Sequence, residues 1–333
     1  MNKLLLLLFI PIAIANKTSA QTYPENFIIP VSSHVIHNSL YKTIGFIDSR
    51  PTDGLLTRKP KRVTAIPISN QLNNLMDSVT DSTAKDGALL LQLRLLNFAE
   101  VSGTINQKGT CYLRAILYSK KGDLYQKINS IDTSVGIQVS PNLSKGALAN
   151  GGKIISAFII NSLVQESTDS TLYSLNDIKK VDSAEKAQLK LYTTLTYTDG
   201  LYNSYESFKN QMPDKQIIKA DTNMNGNVFT VKIIDNGQKV KIKPKDMYAV
   251  VYKGVPYMAT KYGCYRMQKE NGNFFFTGDL ETKSDIGESV TNGAAFGLLG
   301  GVASLGEETT YDMRLDNVNG KFIRLKQIDT SVP

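Results

Sequence analysis

Cysteine and histidine are scarce in this 333-residue chain, with two of each. Two cysteines exclude a disulfide-dense scaffold and a four-cysteine zinc site. Two histidines exclude a three-histidine metal centre. There is no Gly-x-Ser-x-Gly elbow and no His-Glu-x-x-His pair, so two common hydrolase signatures are missing. Internal repeats and long low-complexity segments are missing too. What is present is 41% hydrophobic and 20% charged residues, enough for each of two domains to bury a core.

Residues 1–20 read as a secretory signal peptide. Lys3 gives the positive n-region, Leu4 to Ala15 the apolar h-region, and Thr18-Ser19-Ala20 the small residues before a cleavage at Gln21. The apolar run, about 12 residues, is short for a bilayer span. No cysteine lies near the cleavage site, which excludes a bacterial lipoprotein anchor. The expected location is the periplasm or the outer membrane. The formal charge is +8, of which the leader holds Lys3 and Lys17. The remaining cationic excess suits anionic surfaces such as lipid headgroups or acidic glycans, and makes no case for nucleic acid. Cys111 and Cys264 fall in different expected domains, both beside strand-like runs. Buried free thiols are the reading there, and a disulfide stays open.

Residues 21–61 carry Pro24, Pro30, Pro51 and Pro60 and read as irregular. Residues 62–170 read as an α+β domain. A short strand at Arg62–Ile66 precedes a helix from Pro67 to about Thr83, with Leu72, Leu75 and Met76 at helical spacing. Leu89–Val101 is a strand with Leu89, Leu91, Leu93 and Leu95 on one face and Leu90, Gln92, Arg94 and Leu96 on the other. Cys111–Ser119 and Leu124–Thr133 form a hairpin, and Gly146–Glu166 a helix. The fold class is therefore α+β: a β-α-β-β-β-α sandwich, followed by a mainly antiparallel β-meander domain. Residues 171–213 read as a helical connector, with helix starts at Asp182-Ser183-Ala184-Glu185 and Asn203–Glu206 and a turn at Asp199-Gly200. In residues 214–333 strands alternate with tight turns at Asn236-Gly237, Lys253-Gly254, Asn271-Gly272 and Asn319-Gly320.

Several of these runs resemble a family of secreted proteins of unknown function from the Bacteroidota. The matching residues are Asp182-Ser183-Ala184-Glu185-Lys186, Asp199-Gly200-Leu201-Tyr202 with Tyr205–Asn210, Tyr248-Ala249-Val250 with Gly254–Met258, and Phe274–Gly278. They span roughly residues 180–330. The resemblance implies secretion and brings no activity and no catalytic residue. By element order alone, the first domain resembles the small periplasmic domain of transport-auxiliary lipoproteins, and departs from it in lacking the lipidated cysteine.

Six groups are candidates for chemistry. His34 and His37, at i and i+3 in an extended stretch, point to opposite faces and read as surface histidines. Gly146 to Gly152-Lys153 imitates a phosphate loop, but is one residue too long and has Ile154 where the Mg²⁺-binding Ser or Thr belongs. Tyr248, Tyr252, Tyr257, Tyr262 and Tyr265 suggest either sheet packing or a sugar-stacking face. The uncharged stretch 289–306 repeats Gly293, Gly297 and Gly301, with Phe296 and Leu298 between them. It is either a flexible or buried insertion or a membrane or subunit contact. Two basic groups are solvated surface or anionic-ligand contacts. One is Arg58-Lys59-Pro60-Lys61-Arg62. The other is Lys239, Lys241, Lys243 and Lys245, alternating along an expected strand.

The sequence thus points to an exported, non-catalytic binding or accessory protein of the cell envelope, with an envelope protein or a membrane surface as partner. A soluble periplasmic binder of an anionic glycan or lipid is the alternative, with Lys239, Lys241 and Lys243 as contacts. An unrecognised hydrolase is the third reading, with Cys264 near a histidine or a carboxylate pair as its site. The sequence specifies no cofactor, no metal ligand and no catalytic residue.

Overall fold

A computed structural model describes residues 27–51, 66–102, 107–138, 143–281 and 308–328. The expected leader 1–20, the basic run 58–62 and the stretch 289–306 lie outside the described residues. So, therefore, do Gly293, Phe296, Gly297, Leu298 and Gly301.

The first half is a five-stranded sheet backed by two helices. In chain order it runs β1 (Tyr41–Asp48), α1 (Ile68–Val79), β2 (Gly87–Ser102), β3 (Gln107–Lys121), β4 (Leu124–Gln138), α2 (Leu143–Ser162) and β5 (Leu172–Tyr173). The sheet order follows the chain, with β1 parallel to β2 and the other pairs antiparallel. The reading of 21–61 as irregular misses β1. Tyr41 and Ile44 are buried in it three residues apart, and the register slip between Tyr41 and Thr43 removes the alternation that marks a strand in sequence.

Apolar positions at helical spacing make α1 amphipathic, and Ile68, Leu72, Leu75, Met76 and Val79 are all buried. They meet Leu89, Leu91 and Leu93 of β2 and Leu113, Ala115 and Leu117 of β3. The helix ends at Val79, short of the expected Thr83, because Thr80 turns extended and bridges to Ile36. In α2, Gly151 and Gly152 are buried. A Cβ on Gly151 would sit 2.7 Å from Cys111 Sγ, and one on Gly152 would sit 1.9 Å from the Ile28 carbonyl oxygen. The imitated phosphate loop is thus the interior of a helix, and its glycines let α2 approach β3 and the N-terminal segment.

Strand β2 departs from strict alternation. Its register slips between Leu93 and Leu95, leaving Arg94 as a bulge. Beyond the slip the faces exchange: Leu96 joins the α1/α2 core while Leu95 faces the other way.

That other face of the first sheet is also covered. Helix α3 (Leu175–Ala187) places Ile178 against Leu90, Ile116 and Tyr118. Its N-cap lies eight residues earlier than expected, at Ser174, with a Ser174–Asp177 capping box. Asp182 and Glu185, read from sequence as a helix start, lie inside it and bind Arg94.

The second half continues through α4 (Lys190–Thr193), β6 (Gly200–Tyr202), α5 (Tyr205–Lys209), β7 (Ile217–Thr222), β8 (Val228–Asp235) and β9 (Gln238–Ile242). A 3-10 turn (Pro244–Asp246) leads into β10 (Ala249–Tyr252), β11 (Val255–Ala259), β12 (Cys264–Arg266), β13 (Gln268–Glu270), β14 (Asn273–Glu281), β15 (Glu308–Leu315) and β16 (Phe322–Gln327). These strands form a seven-stranded and a four-stranded sheet, and every named pair is antiparallel. The expected turns at 236–237, 253–254 and 271–272 all have two successive positive φ values, the hairpin geometry that those residues favour. At the second, the Asp199 carboxylate accepts from the N–H groups of Lys253 and Gly254 at 2.9 and 2.7 Å.

The two later sheets face each other across an aromatic core. Tyr202, Tyr248 and Tyr265 pack against Phe274, Phe276 and Tyr311. The four-stranded sheet also reaches the first half: Ile323 of β16 packs on Leu95, Ala99 and Tyr112. Beside it, Arg114 of β3 donates to both carboxylate oxygens of Asp316 at 3.0 and 2.5 Å and to Asp132 at 2.9 Å.

Candidate functional site: a lysine row on β7–β8–β9

The second face of the seven-stranded sheet is where β7, β8 and β9 fold back. Their inner side carries Ala220, Val231, Ile233, Val240 and Ile242, which pack with Val250, Tyr257 and Cys264. Alternation then sends the intervening residues outward. On β9 these are Lys239 and Lys241, both exposed. On β8 they include Lys232, directly opposite Lys241, and Ile234, opposite Lys239. On β7, Lys219 stands opposite Lys232.

Three lysines therefore lie side by side across three adjacent strands. Two strand spacings separate the outer pair, roughly 10 Å. Like charges directly opposite each other destabilise a sheet. In water, two unit charges 4 Å apart repel by about 1 kcal/mol. The one acid among them is Asp221, reached by Lys219 Nζ at 3.4 Å and Lys232 Nζ at 3.6 Å. Desolvation would raise its carboxyl, but Lys232 and Lys219 outweigh that and hold it below the ordinary carboxylate range. Among the described residues Lys239, Lys241, Lys243 and Lys245 have no ion pair. Thr230, two residues before Lys232 on the same face, is 3% exposed, and its hydroxyl has no hydrogen-bond partner.

Lys239 and Lys241 thus sit together on the outer face. Lys243 caps the 3-10 turn and Lys245 lies within it, both exposed and beyond the end of β9. Sequence reasoning missed Lys219 and Lys232. The turn held the signal for Lys232: a two-residue loop at Asn236-Gly237 puts Asp235 opposite Gln238, and three steps back puts Lys232 opposite Lys241. Lys219 had no such signal, because β7 pairs through two bulges.

The other candidates separate. His34 and His37 are exposed, and His37 Nδ1 pairs with Asp81 Oδ2 at 2.6 Å. No cluster of three His, Cys, Asp or Glu able to hold a metal occurs among the described residues. Cys111 and Cys264 are free and buried in separate cores. Burial raises the Cys111 thiol to about 12 and pushes Cys264 higher still. Cys264 packs beside Met247 and meets neither histidine. Tyr248, Tyr257 and Tyr265 are buried, so the tyrosines form no continuous stacking face. Tyr248 donates to the Gly320 carbonyl and Tyr265 to Asp279. No helix among the described residues is long and apolar enough to cross a membrane.

No family model and no curated protein matches the chain. One solved structure, described only as "Crystal structure of uncharacterized protein", is similar at 11% identity over 41% of this chain and 96% of its own, with a TM-score of 0.21.

Proposed function

We propose that this is an exported binding protein of the cell envelope that holds a multivalent anion on the outer face of β7–β8–β9. The observation that supports this reading is the row Lys219–Lys232–Lys241, flanked by Lys239 and balanced, among the described residues, only by Asp221. A row of like charges lowers the stability of the sheet that carries it, and sites that break a local rule are where function is expected. An anionic ligand spanning several lysines would relieve the repulsion.

The test uses immobilised dextran sulfate and the full chain. Binding is expected to weaken steeply with salt, as for any exposed charge contact. Lys241→Glu would place an acid opposite Lys232. It should weaken binding while raising the unfolding temperature, because a cross-strand ion pair replaces a repulsion. Unchanged binding in Lys232→Glu with Lys241→Glu would overturn the proposal.

A further inference from the structure

The same hairpins expose an unusual set of apolar side chains. Strand β7 carries one extra residue between Ile217 and Lys219, and β8 one between Val228 and Thr230. The inserted residues are Ile218 and Phe229, and both are about half exposed. Bulges are a means of re-aiming a side chain, and here each delivers an apolar one to the surface. Met224, in the turn joining β7 to β8, is fully exposed. Ile234 is exposed on the lysine face itself, opposite Lys239.

A soluble polyanion would satisfy the lysines and leave these four side chains in water. An anionic bilayer interface takes both classes at once: headgroup phosphates meet the cations, and apolar tips enter the headgroup–acyl boundary. Resting on the anion-binding reading above, we propose that β7–β8–β9 docks this protein peripherally on an anionic lipid surface, with Met224 and Phe229 entering the interface and Lys219, Lys232, Lys239 and Lys241 held against the headgroups. Each lysine near such a surface strengthens binding by about fivefold.

The chain has no tryptophan, so Met224→Trp installs a single reporter at a fully exposed position. On vesicles of mixed phosphatidylglycerol and phosphatidylcholine its emission should shift to the blue and be quenched by bromine on the acyl chains. On phosphatidylcholine alone, or with soluble dextran sulfate, it should stay at its aqueous position. Adding Lys232→Glu and Lys241→Glu should weaken the vesicle response at least about twentyfold, two lysines' worth. Leu195→Trp, a reporter at an exposed site outside these hairpins, should stay in water throughout.

If dextran sulfate binds through the lysines while the reporter at position 224 remains aqueous on anionic vesicles, bilayer docking is overturned and the anion reading stands. If the lysine substitutions alter neither dextran sulfate nor vesicle binding, the anion reading falls and takes this inference with it. An equal blue shift on neutral vesicles would also overturn the proposal, since the lysines would then contribute nothing.

Discussion

Replacing Asp316 by alanine removes the buried partner of Arg114. The two side chains are only 5% and 9% exposed, and the pair is bidentate. Asp316 also accepts from the Val318 N–H at 3.0 Å, so its carboxylate serves the local turn as well. Breaking a buried pair by removing one partner costs about 3–5 kcal/mol, because the remaining charge keeps its desolvation penalty. Arg114 retains Asp132, but that carboxylate is 43% exposed, and a pair of that kind contributes about 0–1 kcal/mol. Asp316→Ala should therefore cost about 3 kcal/mol or more, and Asp132→Ala less than about 1. At about 2–4 °C per kcal/mol, Asp316→Ala should lower the unfolding temperature by roughly 6–20 °C. Urea titration of both variants gives the comparison. The double substitution Arg114→Met with Asp316→Leu should recover much of the loss, since no charge then stays buried alone. Equal costs for Asp316→Ala and Asp132→Ala would refute the reasoning.

Three further outcomes follow from the packing. Neither cysteine should react with a maleimide in the native protein near neutral pH, since burial keeps both thiols protonated, and both should react in guanidinium; labelling of the folded chain, read by mass, would contradict this. Gly152→Ala should destabilise by about 1–3 kcal/mol despite the better helix propensity of alanine, because the new Cβ meets the Ile28 carbonyl; a gain in urea midpoint would show that the N-terminal segment yields instead. Burial, and then Asp279, raises the Glu308 carboxyl above its ordinary value. The native state thus binds that proton more tightly than the unfolded chain, so the stabilisation is present at acid pH and is lost as pH rises through the raised value. Glu308→Gln should flatten that decline in unfolding temperatures measured from pH about 4 to about 7, the range above an ordinary glutamate pKa.

Much of the second half was legible because its order is local. Asn236-Gly237, Lys253-Gly254 and Asn271-Gly272 each state a turn and fix the register of the strands they join. Leucines at alternate positions likewise announced β2. What was illegible depends on distant chain. The bulge at Arg94 is stabilised by Asp182 and Glu185, 88 and 91 residues on, and nothing near Arg94 signals the exchange of faces. Helix α3 begins earlier than expected because the Ser174–Asp177 box outcompetes the weaker signal at Asp182. At the candidate site, Lys239 and Lys241 were visible as a stripe. The row became a site only when Lys232 and Lys219 came alongside, the second through bulged pairing that no sequence period encodes.

The Arg114–Asp316 contact joins positions 202 residues apart. At about 5–20 residues per second, the chain emerges for roughly 10–40 s after Arg114 is made before its buried partner exists. Through that interval the strands from Leu90 to Tyr118 can form their sheet and receive α1 and α2, while Tyr112 and Leu95 wait for Ile323 and Arg114 waits for Asp316. Helix α3 covers the part of the sheet's other wall around Leu90, Ile116 and Tyr118, and the part around Leu95, Ala99 and Tyr112 stays open until the last described strand arrives. A chaperone holding that wall, or an aggregate nucleated on it, would act on the protein before its final residues arrive.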